Sequence, residues 1–208
     1  MKICFASRRP VFPFIRNGAD VSFYLMAELL AKRNHHVLLL GQLTKKDFIR
    51  IFPDNKINNF KISQTIKISD FGHLTLPEKH IIEIHYDYNL HAKCTLLSDW
   101  NEYINYTIDA FNPDILITQL DGTLEIIKRC EASSLPIVHF IRDTINPINI
   151  LPYIDTHTQF SGSILTIANS QYTADWFEKM TNKKCEIIYP YIPKLFWFNG
   201  KLNNRPLY

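Results

Sequence analysis

Lys2-Ile3-Cys4-Phe5-Ala6, then Ser7-Arg8-Arg9-Pro10, then Asn17-Gly18, then a helical run from about Asp20 to Arg33 closed by Val37-Leu38-Leu39-Leu40-Gly41: this order decides the fold. Residues 3–6 are continuously apolar, as in a strand covered on both faces. Val21, Tyr24, Leu25 and Leu29 recur at helical spacing, and Met26 and Leu30 widen the stripe. Asp20 near the start and Lys32-Arg33 near the end suit the helix dipole. Strand, helix and strand in this order make a parallel crossover. The loop between the first strand and the helix is basic. It closes on Gly18, a glycine placed where backbone approaches a ligand or turns sharply. The opening is therefore that of a nucleotide-binding α/β fold.

The rest of the chain repeats the theme. Ile115-Leu116-Ile117-Thr118, Ile137 to Ile141 and Ile164 to Ala168 read as core strands, and Cys185 to Tyr189 as a last one. Phe60-Lys61-Ile62, Thr65 to Ile68 and Glu83 to Tyr86 read as shorter strands. Leu96, Trp100, Ile104 and Ile108 fall four apart, with Leu97 and Phe111 beside them, and predict a long helix ended by Asn112-Pro113. A second helix is expected over Thr123–Cys130. A third is expected over Gln171–Met180, with Ser170 as its N-cap. The fold class is α/β: a Rossmann-like parallel sheet with helices on both faces.

The chain has 208 residues, 46% hydrophobic and 21% charged, with a net charge of +3. That is ordinary globular composition with material for a real core. Long basic runs are absent, so nucleic acid is not an expected partner. Cys4, Cys94, Cys130 and Cys185 are far apart and form no metal spacing. They read as reduced thiols. His80, His85 and His91 have neither the spacing of one helix face nor the alternation of one strand, so no metal is expected. Met1-Lys2 leads straight into a strand, no signal peptide is visible, and a cytoplasmic protein is expected.

The segment order resembles the N-terminal domain of retaining GT-B glycosyltransferases of family 4. That family's Gly-Gly-x-Glu loop has its counterpart in Asn17-Gly18-Ala19-Asp20, and its Gly-His-x-Val helix end in Asn34-His35-His36-Val37. Its Pro-Asp strand corresponds to Pro113-Asp114-Ile115 to Thr118. Its Pro-Val-Val strand ending in His-Asp corresponds to Pro136-Ile137-Val138 to Arg142-Asp143-Thr144. Ile167-Ala168-Asn169-Ser170 to Phe177 and Ile187-Ile188-Tyr189-Pro190-Tyr191 match later elements. Asn17 replaces a glycine, Arg142 a histidine lining the active site, and Tyr191 a small residue.

The resemblance implies one half of a GT-B fold: residues 1–193 as the acceptor-side domain, and 194–208 as a linker toward a C-terminal donor-binding domain. Transfer of a sugar from a nucleotide-diphosphate-sugar to a glycan or lipid-linked acceptor is implied, without cofactor or metal and with little activity for this domain alone. The partners implied are the nucleotide-sugar, the carbohydrate acceptor and that second domain. Peripheral membrane contact is a further expectation, as is self-association through Phe196-Trp197-Phe198. The alternative is a non-catalytic α/β module binding a ligand or partner.

Candidate site residues cluster where open α/β sheets bind ligands, at the carboxyl ends of strands. Gly18 and Arg16 are candidates for the donor phosphates, since helix N-termini and guanidinium groups suit anions. Gly18 as a mere turn residue is the plain alternative. Arg142 and Asp143 are the candidate catalytic pair. Arg142 would meet leaving-group charge rather than act as a base. It would otherwise brace the loop against a carboxylate. Gln119, Asp121 and Arg8 are candidates for the acceptor hydroxyls, against plain roles in a turn or on a solvated surface.

Overall fold

In the computed structural model the residues described are 1–12, 14–15, 17–43, 65–67, 73–75, 81–96, 100–119, 135–142 and 164–190. The expectations for Phe60–Ile62, Thr123–Cys130 and the tail with Phe196–Phe198 lie outside them.

Among the described residues ten strands form one sheet: β1 Lys2–Ala6, β2 His36–Leu43, β3 Thr65–Lys67, β4 His73–Thr75, β5 Ile81–His85, β6 Leu90–Leu96, β7 Ile115–Gln119, β8 Ile137–Ile141, β9 Ile164–Ala168 and β10 Glu186–Ile187. Their order is β10-β9-β8-β7-β1-β2-β6-β5-β4-β3. From β10 to β6 every pairing is parallel, and β6-β5-β4-β3 is an antiparallel arm. The Rossmann-like core is as the sequence implies, and the arm extends it.

Alternation divides the core. Ile3, Phe5, Val37, Leu39 and Ile117 join helix α1 (Gly18–Lys32) on one face. Cys4, Ala6, Leu38, Leu40 and Leu116 join helix α2 (Trp100–Phe111) on the other. Two sequence expectations are corrected here. Helix α2 starts at Trp100, because Leu96 is the last residue of β6. The packed stripe of α1 is Phe23, Ala27 and Ala31, not Val21, Leu25 and Leu29, which are half-buried. Two alanines on that stripe let the helix lie close to the sheet.

The helix ends explain their own sequences. Asn34 closes α1 with φ 64, and the bonds from His35 N–H to Leu30 C=O and from Asn34 N–H to Ala31 C=O make a Schellman cap. Asn112, at φ 49, closes α2. Helix α3 (Gln171–Thr181) is capped by Ser170, whose hydroxyl accepts from the Thr173 N–H. Burial pushes the Cys94 thiol up to about 12, so it packs as an inert, protonated side chain.

One polar pair lies inside the sheet. Thr118 Oγ1 and His139 Nδ1 are 2.8 Å apart, and both residues are fully buried. Thr118→Val keeps the shape and strips Nδ1 of that bond. The expected loss is about 1–3 kcal/mol. It should be read as a lower urea midpoint with an unchanged m-value.

Candidate functional site

The sheet reverses its winding between β1 and β7: one neighbour of β1 comes next in the chain, and the other comes after the antiparallel arm and α2. Ligands gather at the carboxyl edge of such a switch point. Here Ser7 follows β1, Gln119 ends β7, Arg142 follows β8, Asn169 follows β9, and the first turn of α1 leans over them.

The Ser7–Val11 loop is tied to β2. The Ser7 N–H donates to Leu40 C=O at 3.1 Å, and the Gln42 N–H donates to Arg9 C=O at 3.1 Å. Gly41 lies beneath this crossing. The loop, α1 and the strand ends border a shallow notch open to solvent, lined by Ser7, Arg9, Asp20, Phe23, Tyr24 and Gln119 among others. Ser7 and Gln119 are almost fully buried. The Ser7 Oγ and Gln119 Oε1 atoms meet no hydrogen-bond partner among the described residues. A hydroxyl and an amide oxygen thus lie just beneath the lining of the notch.

Arg142 is the site's fixed cation. Its Nη1 donates to Ser22 Oγ, and its guanidinium lies 4.9 Å from the Phe140 ring centre and 5.9 Å from that of Phe23. The Ser22 hydroxyl in turn donates to Ala19 C=O at 3.1 Å. The Arg142 carbonyl accepts from Asn169 Nδ2 at 2.9 Å, and Asn169 Oδ1 accepts from Thr173 Oγ1 at 2.8 Å. Burial lowers the Arg142 guanidinium to about 10, with the Asp20 carboxylate acting in the opposite direction. It therefore stays protonated at neutral pH. Its Nε meets no partner among the described residues.

Asn17 is the N-cap of α1: its Oδ1 accepts from the Asp20 N–H at 2.9 Å. Gly18 is the first helical residue. It has no left-handed φ, and a Cβ there would meet nothing within 4 Å. Neither turn geometry nor packing among the described residues requires a glycine at this position.

The structure brings Gly18, Gln119 and Arg142 to one edge. Arg8 is exposed and does not line the notch. Arg16, Asp121 and Asp143 lie outside the described residues. Ser7, Ser22 and Asp20 join the site without having been candidates, and Asn169 joins it beside the capping Ser170. Ser7 and Ser22 enter only through contacts distant in sequence. Among the described residues no group of three or more His, Cys, Asp or Glu could hold a metal, and no helix is long and apolar enough to cross a membrane.

The architecture resembles one half of a GT-B fold. The catalytic domain of starch synthase IV from Arabidopsis thaliana, solved with ADP and acarbose, superposes with a TM-score of 0.54 at 9% identity. The match covers 90% of this chain and 51% of that domain, so the chain spans about half the length of the protein it resembles. No protein-family model and no curated protein matches the chain.

Proposed function

We propose that this chain is the acceptor-side half of a retaining glycosyltransferase of family-4 type. It would move a sugar from a nucleotide-diphosphate donor to a glycan or lipid-linked acceptor at a cytoplasmic site. The observation that carries the reading is Arg142, a half-buried cation hydrogen-bonded to Ser22 of α1 at the carboxyl edge of the sheet. The starch synthase fold, which holds ADP and acarbose in its own structure, supports it.

In this reading the leaving diphosphate lies against the α1 N-terminus over Gly18, where a side chain would stand in its way. The Gly18 and Ala19 N–H groups and the Arg142 guanidinium meet its charge. Asn17 already takes the Asp20 N–H, so the helix alone is a weaker anion site than its dipole suggests. Gln119 and Ser7 receive acceptor hydroxyls. Arg142 cannot serve as a base, so the proton of the attacking hydroxyl goes elsewhere.

Adding ADP, UDP or pyrophosphate to the ¹⁵N-labelled chain should shift the amides of Gly18, Ala19, Ser7 and Arg142. Affinity should be weak, on the order of millimolar, because in this reading the donor is held mainly by a second domain. Gly18→Ala should lose that response while holding or raising stability by up to about 0.5 kcal/mol. Shifts confined to another surface would refute the placement. Tight donor binding by this half alone would refute the division of labour. The arginine at a position where the family has histidine favours a second reading, a non-catalytic binding module. Saturable oligosaccharide binding with no nucleotide response would select it.

A further inference from the structure

Strands β5 and β6 form a hairpin closed by Asp87-Tyr88-Asn89, with Tyr88 at φ 61 and a bond from Tyr86 N–H to Leu90 C=O at 3.1 Å. Register sets His85 directly opposite His91, and Glu83 opposite Lys93. The two imidazoles meet at Nδ1, 2.9 Å apart, with rings nearly perpendicular at 83°. Lys93 Nζ and Glu83 Oε1 form an ion pair at 2.8 Å in the next row of the same face. Backbone register also puts His73 of β4 opposite His85. Leu38, the register partner of His91, starts near the amino-terminal edge of the parallel strands, opposite the notch.

Sequence spacing concealed this pair because a six-residue interval fits no single element. A three-residue hairpin loop makes it a cross-strand pair. The pair's geometry is informative. Two metal–nitrogen bonds of about 2.05 Å meeting at about 90° hold their nitrogens about 2.9 Å apart, whereas a tetrahedral angle holds them about 3.3 Å apart. The observed separation is that of an N–H···N hydrogen bond between the two rings, and it lies nearer the square spacing than the tetrahedral one, so a small rotation of the rings would aim both nitrogens at one ion. The backbone register sets the two side chains opposite each other before any ion arrives, which reduces the ordering cost of binding.

We propose that His85 and His91 form a two-imidazole chelate for a tetragonal divalent ion of the copper(II) or nickel(II) class. The ion takes the place of the proton shared by the two Nδ1 atoms. The imidazole that carried that proton shifts to its Nε2–H form, so a neutral pair releases no net proton. Water completes the coordination, consistent with the absence of a three-residue metal group among the described residues.

Titrating the full chain with Cu²⁺ and following electron paramagnetic resonance should show one tetragonal centre with two equatorial nitrogens. Zn²⁺ should bind more weakly. His85→Gln and His91→Gln should each lose at least about tenfold in Cu²⁺ affinity, as loss of a direct ligand exceeds the usual outer-shell effect. Both side chains reach solvent, so the variants should keep the parent's melting temperature without metal. A readout needing no variant is paramagnetic broadening by substoichiometric Cu²⁺, expected at the His85 and His91 ring signals. Broadening centred on other histidines, unchanged affinity in the double variant, or Zn²⁺ binding as tightly as Cu²⁺ would each overturn the assignment.

Discussion

Arg142→Met loses about 2–3 kcal/mol of stability at pH 7, and the loss shrinks as the pH falls. The methionine can keep much of the contact with Phe140 and Phe23, so packing alone predicts a small effect. Charge predicts more. Asp20 is 3% exposed, and the guanidinium is the neighbouring cation whose titration it influences. Removing one partner from a buried ion pair in contact costs about 3–5 kcal/mol when both are dry, and Asp20 acts on Arg142 as a nearby charge without a hydrogen bond between them, so less is expected. Arg142 is partly open to solvent, which reduces the figure. The sign with pH follows from Asp20. Without the guanidinium, a desolvated carboxylate in the folded variant has a pKa above its unfolded value near about 3.9. The folded variant then binds more protons than the unfolded chain. Its deficit is complete above that raised pKa and closes between it and about 3.9. Urea melts of the parent and variant from pH 7 to pH 4 measure this directly. Asp20→Asn combined with Arg142→Met should recover part of the loss. A deficit that does not change with pH would mean that Arg142 acts by packing. The same variant should lose the rim response to nucleotide.

What could be read from the sequence was local. The alternation and length of β1, β7, β8 and β9 follow from short apolar runs, and Ser170 announced its helix. Asn34 follows helix α1 with a left-handed φ, a conformation that asparagine tolerates better than most residues. What escaped was set by partners far along the chain. The packed stripe of α1 depends on how closely the helix approaches the sheet, which favours Ala27 and Ala31 over the bulkier Leu25 and Leu29. Strand β6 carries a clean alternation of Leu90, Ala92 and Cys94, but the four-residue spacing of Leu96, Trp100, Ile104 and Ile108 claims Leu96 for a helix. The site divides in the same way. Gly18, Gln119 and Arg142 are placed by strand ends and helix starts, which sequence marks well. Ser22 reaches Arg142 across 120 positions, and only the folded topology brings them together.

Gly41 tests how the notch is built. It has an ordinary strand conformation, so its need for glycine is steric. A Cβ there would lie 2.6 Å from Val11 Cγ1, 2.9 Å from the Arg9 carbonyl oxygen and 3.3 Å from Cys94 Sγ. The valine methyl can swing aside, but the carbonyl oxygen is backbone. It also accepts the Gln42 N–H that fastens the loop to β2. Gly41→Ala is therefore expected to cost about 2–3 kcal/mol, and Gly41→Val more, as for overpacked cores. For a domain of this size the alanine variant should melt about 5–10 °C lower. Gly18→Ala is the matched control, with open space around the added methyl and no loss expected. The strain also has a direction. The only way to relieve it without disturbing the central sheet is to lift residues 8–11, the loop that carries Arg9 and walls the notch. Amide exchange at Gln42, whose N–H is held by that loop, should then rise in Gly41→Ala well above the exchange at Leu39, which lies deeper in the strand. Equal acceleration at both positions would show that the substitution unfolds the sheet as a whole, and that the loop and the strand do not yield separately.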